Sequence, residues 1–339
     1  MITFVLIHIG NPPDHLLDCI EQINIFNSNK IIVCLEKMYV GKIPQGMTNV
    51  TTIPIETITP SKEYEIFRKQ HQLVVNNLPQ GRHFWTYTLE RFFILDSLIR
   101  QLQLKNCIHL ESDNLIYTCF DRLLPAFQRY NVGFVRDSDI RGIGSIVWVR
   151  NTNSLKPFID FILSYPHRTN DMYYIGMYLK KYESELQSLP IAPPGIVDSK
   201  YCANIECFRS VFDGAALGQW VGGVDPRNSP GDTRGFVNET CVFNPHIYRV
   251  HWEMDIDGNR TPFMWDGTPI NNLHIHCKDL KRYMSKPVWR NETTNIISGE
   301  RFQGISTSAV VNTLNPLWRT LSCNTIGIDE QNMSYMLTQ

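Results

Sequence analysis

Apolar residues in the first half of the chain fall into two alternating kinds of run. Short continuous ones, TFVLIHIG from residue 3, KIIVCLE from residue 30 and VTTIPIE from residue 50, predict strands buried on both faces. Longer ones repeat every three or four residues and predict amphipathic helices. PPDHLLDCIEQINIF is opened by proline, SKEYEIFRKQHQLVVNN has Ser61 placed as its N-cap, and RHFWTYTLERFFILDSLIRQLQ sets aromatics along one side. CIHLES, NVGFV and GSIVWVR add strands; LKPFIDFIL and DMYYIGMYLKKYES add helices. Strand and helix in alternation imply an α/β fold whose parallel sheet is covered on both faces. Ligands of such sheets bind beyond the carboxyl ends of the strands.

From about residue 190 the pattern breaks into loops rich in Pro, Gly and Asn. Periodic segments return near the end: IYRVHWEMD and TPFMW flank Asp257-Gly258, a hairpin signal, and NNLHIH reads as a strand. The expectation is one extended domain over residues 1–285, loop-rich in its C-terminal half, with a 286–339 extension packed on it. The composition is globular, 43% hydrophobic, and the net charge of -1 leaves no strong basic run to hold a nucleic-acid backbone. Nucleic acid is therefore a disfavoured partner, though an open one. Nine cysteines are scattered singly, suggesting neither a disulfide framework nor a zinc motif. No apolar run is long enough to span a bilayer. The chain opens directly on a strand with no basic leader, so a soluble cytoplasmic protein is expected.

One short stretch resists a purely structural explanation. CIHLESDNLIY carries Glu111 and Asp113 one residue apart where a buried strand leaves the core. Like charges at that spacing repel, and both lose solvation. A hard divalent cation such as Mg2+ or Mn2+, bound through carboxylate oxygens and shared with substrate phosphates, would offset both costs. The plainer alternative is a solvated turn whose acids cap the following segment.

Four separated features, in order, resemble the GT-A fold of nucleotide-sugar-dependent glycosyltransferases. Glu111-Ser112-Asp113 resembles its Asp-x-Asp metal motif, with Glu in the first place. RGIGSIVWVR, with Gly142 and Gly144, is similar to the glycine loop and strand that lie against the donor. Asn170-Asp171 is similar to the acidic motif that faces the acceptor. His274 and His276 of NNLHIHCKDL fall where the family has a histidine completing the metal shell. The resemblance covers roughly residues 1–285. It implies a mixed, mainly parallel twisted sheet flanked by helices, with 1–150 binding the donor nucleotide and 151–285 serving the acceptor. It also implies metal-dependent transfer of a sugar from a nucleoside-diphosphate sugar, a UDP-sugar first, to a hydroxyl. A glycan is the expected acceptor; a protein side chain, a small molecule or a hydroxylated nucleobase are the others.

On this resemblance Asp113 and a histidine hold Mn2+ or Mg2+, with Glu111 in support. His276, nearer the strand end, is preferred to His274, the two alternating towards one face. Lys278 sets positive charge on the departing phosphate. His8, Ile9 and Gly10 close the first strand where the family seats the base, and Ser112 and Gly144 line the donor. Arg91, set in an aromatic helix, reaches the diphosphate or ribose. Asp171 is the first candidate for the base that takes the acceptor proton. Asp213 in VFDGAALGQWVGGVDPRN is the second, with Gln219 and Trp220 as sugar contacts. Each has a plainer role: Asp171 as a helix cap, Arg91 in a salt bridge to Glu90, Asp213 capping a helix AALGQW, the glycines in turns, the histidines in the core. Two rival functions stand beside this one. A nucleotidyltransferase would carry a glycine- and lysine-rich loop after the first strand, which HIGNPPDH lacks. A carbohydrate- or nucleotide-binding module without turnover would account for Glu in place of the first Asp.

Overall fold

The computed structural model of the protein describes residues 1–75, 83–166, 169–183, 188–238 and 241–286. The chain divides into Met1–Arg290 and Asn291–Gln339. The fold below is that of the first unit; the extension expected over 286–339 falls, from residue 287 on, outside the described residues.

Strand β1 (Thr3–His8) leads to helix α1 (His15–Phe26), then β2 (Ile31–Leu35) and β3 (Val50–Pro54). Helix α2 (Lys62–Val75), its Tyr64 amide capped by Ser61 Oγ at 3.2 Å, and α3 (His83–Leu102) follow. Next come β4 (Cys107–Leu110) and the short β5 (Asn114–Ile116). After one helical turn, α4 (Leu124–Phe127), the pair β6 (Val132–Arg136) and β7 (Gly142–Val149) precedes α5 (Lys156–Ser164) and α6 (Asp171–Lys181). The rest is mostly loop. It holds β8 (Ser188–Leu189), α7 (Ile205–Phe208), α8 (Ala216–Gly222), the hairpin of β9 (Val250–Met254) and β10 (Arg260–Met264), and β11 (Asn272–His274).

Seven strands form one sheet in the order β3-β2-β1-β4-β7-β6-β8. Strands β1 to β4 are mutually parallel, whereas β7 runs against both β4 and β6. The sheet is thus mixed and mainly parallel, as expected. The reversal at β7 follows from its link to β6, a turn over 137–141 that is far too short for a parallel crossover.

Alternation along the strands divides the core into two layers. Phe4 and Leu6 face the layer containing Leu16, Ile20 and Ile23 of α1; Val5 and Ile7 face the layer containing Phe92, Phe158 and Tyr178 of α3, α5 and α6. Phe92 and Phe93 are fully buried, each contributing about 1.5–3 kcal/mol of burial. Among the described residues no helix is long and apolar enough to cross a membrane, and eight cysteines are free thiols.

What positions the site is one edge of this sheet. Strands β1, β4 and β6 all end there, and β7 begins there. Leu110 pairs with Ile146, so the first residues of β7 run on past the end of β4. The chain then turns at Glu111-Ser112-Asp113 into β5, which pairs antiparallel with β11 and sets Asn114 opposite His274. A histidine remote in sequence arrives beside the two acids.

Candidate functional site

The acidic corner is tied down on both sides. Glu111 donates its amide to the Ser145 carbonyl of β7 at 2.9 Å, and the Asp113 carbonyl accepts the amide of Ile275 at 2.8 Å. Glu111, Asp113 and His274 each bring one ligand atom within 4.8 Å of the others. His274 Nε2 lies 3.1 Å from Glu111 Oε2 and 3.2 Å from Asp113 Oδ2. Its Nδ1 lies 2.6 Å from the Gly214 carbonyl. A carbonyl only accepts, so Nδ1 carries the proton and Nε2 is the atom presented to the acids.

Two further cations close the cluster. Arg91 of α3, its side chain 9% exposed, pairs with Glu111 Oε1 and, at 2.7 Å, with Asp171 Oδ2. Lys278 Nζ contacts Asp113 Oδ2. Burial alone would raise both carboxyls. For Glu111 the charge of Arg91, and for Asp113 the charges of His274 and Lys278, outweigh it and hold them well below the carboxylate range. Burial would likewise lower His274, but the Asp113 and Glu111 carboxylates raise it to about 10.

The residues fit a divalent ion. A neutral His274 would point a lone pair at two carboxylates, an arrangement that needs a proton or a cation between them. Two carboxylate oxygens and an imidazole nitrogen are the donors that Mn2+ takes readily. Ligands bonded at about 2.1 Å to one octahedral ion stand about 3 Å apart at a right angle, close to the two separations found here.

Several expectations need correction. Strand β11 ends at His274, and His276 stands outside the cluster, its ring 4.0 Å from that of His274. Gln219 Nε2 approaches its Nδ1 at 3.4 Å, and its Nε2 is buried without a partner among the described residues. Burial and the charge of His274 lower His276 to about 3. The histidine facing the acids is His274, because the antiparallel register with β5 selects it. Arg91 pairs not with Glu90, which accepts from Tyr64 Oη at 2.6 Å, but with Glu111 and Asp171, so its guanidinium is committed within the protein. Gly144 is open for the same reason: a Cβ there would lie 2.8 Å from Arg91 Nη2 and 2.9 Å from Phe92 Cζ. Its missing side chain makes room for that arginine.

The two candidate bases differ. Asn170, not Asp171, caps α6 by accepting the Tyr173 amide at 2.9 Å. Asp171 is therefore free for Arg91, and burial raises its pKa against the pull of that arginine. Asp213, 2% exposed, spends its carboxylate on backbone: Leu217 N at 3.0 Å, Gly218 N at 2.8 Å and His274 N at 2.9 Å. That is the capping role, extended to β11. Burial pushes its carboxyl up to about 6 against those donors. Trp220 is no open sugar platform, since His246 packs on it with ring centroids 4.3 Å apart and a Cβ on Gly235 would lie 3.5 Å from its Cζ3.

At the end of β1, His8 Nε2 donates to the Asn11 carbonyl at 3.1 Å. Ile9 is partly buried, and Gly10 has φ +90° with nothing within 4 Å of a Cβ position. Ser112 Oγ is 3.5 Å from Nε2 of His15. Sequence reasoning missed His15, the first residue of α1. Burial lowers it to about 4, against the pull of Asp113. Its place after the first strand, at the carboxyl edge of the sheet, was the available signal.

No protein-family model matches the sequence, and no curated protein matches it significantly. Among solved structures the chain is similar to mouse xyloside xylosyltransferase 1, at 11% identity and TM-score 0.38 over 55% of this chain and 84% of that one. It is similar to the glycosyltransferase GlyE of Streptococcus pneumoniae TIGR4, at 10% identity and TM-score 0.36 over 55% of this chain. That alignment spans 44% of GlyE, less than half of its length. The PaToxG glycosyltransferase aligns at 13% identity and TM-score 0.35, over 54% of this chain and 69% of that one.

Proposed function

We propose that the chain is a metal-dependent glycosyltransferase of GT-A type. It moves a sugar from a nucleoside-diphosphate sugar, a UDP-sugar before others, to a hydroxyl, with a glycan as the favoured acceptor. The observation that supports this is the convergence of Glu111, Asp113, His274 and Lys278 at the carboxyl edge of the sheet. With His274 protonated, the three carboxylates of Glu111, Asp113 and Asp171 are balanced by Arg91, His274 and Lys278. Exchanging that proton for a divalent ion leaves the cluster one positive charge up, the sign a diphosphate needs.

Asp113, Glu111 and His274 would hold Mn2+ or Mg2+, which when bound would supply Lewis-acid stabilisation of the diphosphate leaving group. Lys278 brings a second positive charge to the same place. Arg91 holds Glu111 and Asp171 in fixed relation through its planar fork. Gly10, with nothing within 4 Å of a Cβ position, leaves room for the nucleotide base at the end of β1. Asp171 takes the proton of the acceptor hydroxyl as general base, in a single displacement with inversion.

The test is mass analysis of products from a panel of UDP-, GDP- and CMP-sugars with Mn2+ present. Free UDP with released or transferred sugar is expected, and Asp113→Asn should abolish it while the protein stays folded. Asp171→Asn should lower kcat about 10²–10⁴-fold with Mn2+ affinity unchanged. Full turnover in a chelator would end the metal assignment. One observation favours a second reading, a binding module without turnover: Arg91 and Lys278 already neutralise the two acids. Nucleotide-dependent stabilisation with no product from any donor would select it.

A further inference from the structure

We propose that Asp213 is a positioning residue for the ion site, gripping the strand that carries His274 so that Nε2 faces Glu111 and Asp113. The inference rests on the metal-dependent function proposed for this cluster. Strand β11 is three residues long and, among the described residues, pairs only with the equally short β5. So small a ladder holds His274 weakly on its own. The His274 amide donates instead to Asp213 Oδ2 at 2.9 Å. The same carboxylate receives the amides of Leu217 and Gly218 in the first turn of α8, at 3.0 and 2.8 Å. One side chain thereby joins α8 to β11.

The main chain of the same segment holds the imidazole. The Gly214 carbonyl accepts from His274 Nδ1 at 2.6 Å and from Ser145 Oγ at 3.2 Å. Asp213 itself is fastened by Asn272, whose Oδ1 accepts the Asp213 amide at 3.2 Å and whose Nδ2 donates to the Asp213 carbonyl at 2.9 Å. Asn272 also donates to Asn114 Oδ1 at 2.7 Å, and Asn114 donates to the Ser145 carbonyl at 2.9 Å. The network therefore reaches back to the strand that anchors Glu111. There is no slack in it: a Cβ on Gly218 would overlap the His274 carbonyl. Three donors converge on Asp213, and only an acceptor-only group satisfies all of them; an amide would turn its own N–H groups against one. A buried carboxylate that the proposed chemistry does not use thus gains a purpose.

The experiment measures Mn2+ binding to the full chain without substrate, from the electron paramagnetic resonance signal of the free ion. Asp213→Asn is expected to bind Mn2+ about 10–100-fold more weakly. Its activation constant for Mn2+ should rise in step, while kcat at saturating Mn2+ stays near that of the unaltered protein. Unchanged Mn2+ affinity with kcat lost at saturation would make Asp213 the base and overturn the proposal. If the unaltered protein itself binds no Mn2+, the metal-dependent reading fails first and takes this one with it, a distinct result. Should Asp213→Asn not fold, amide exchange in the unaltered protein decides. The Leu217, Gly218 and His274 amides should slow when Mn2+ is added, and rates unmoved by a bound ion would refute the coupling.

Discussion

His109 sits in the middle of β4, fully buried, with Nδ1 donating to the Val5 carbonyl at 3.0 Å and its ring edge-on to Phe92. Burial, and after it the charge of Arg91, lowers its pKa from 6.5 to about 3. The folded protein therefore holds it neutral, while the unfolded chain takes up a proton near pH 6.5. Its stabilising contribution is fully present above pH 6.5 and is lost as pH falls from there towards 3. Denaturation at a series of pH values should show this group adding a slope of about 1.4 kcal/mol per pH unit in that window. His109→Gln should remove that share. An unchanged slope would assign it to His15 and His276, which burial lowers to about 4 and about 3. At this scale the sequence was a partial guide. Glu111 and Asp113 stood out because two acids at the exit of a buried strand are costly anywhere. The choice between His274 and His276 did not, since both sit one strand period apart and only the partner strand distinguishes them.

Helix α6 lies directly on the turn between β6 and β7, and Gly176 is the reason it can. A Cβ there would overlap the backbone of Ile140 and Arg141, and one on Gly142 would overlap the Ile175 side chain. Helix propensity by itself favours alanine over glycine by about 1 kcal/mol; the close approach reverses the sign. Gly176→Ala is expected to destabilise the fold by about 1–3 kcal/mol in urea denaturation. It should also lower turnover, because α6 carries Asp171 to Arg91 from its first residue. A variant as stable and active as the parent would show that the crossing is loose. Helices α1 to α3 were legible because each is long enough to display a period, and strands β1, β2, β4 and β7 because each is a continuous apolar run. Strand β8 spans only Ser188–Leu189 and helices α4 and α7 four residues each, too short for any period to register.

Across the whole molecule, the proposed site predicts linkage between ligand and stability. UDP with Mn2+, at a hundred times its dissociation constant, should raise the unfolding free energy by about 2.7 kcal/mol. A chelator should remove the Mn2+-dependent part of that gain. UDP that leaves the melting temperature unmoved in Mn2+ would count against the donor assignment. By itself the chain determined the α/β class and the pair of acids at the exit of a buried strand. Those properties follow from local periodicity and from the cost of burying charge, both readable residue by residue. Only the tertiary structure decided that β11 pairs with β5, bringing His274 to Glu111 and Asp113. It likewise committed Arg91 to Glu111 and Asp171 and spent Asp213 on backbone amides. The physical reason is common to all three. Each group was settled by which buried donors and acceptors lay within reach once distant segments had packed, and spacing along the chain carries no record of that.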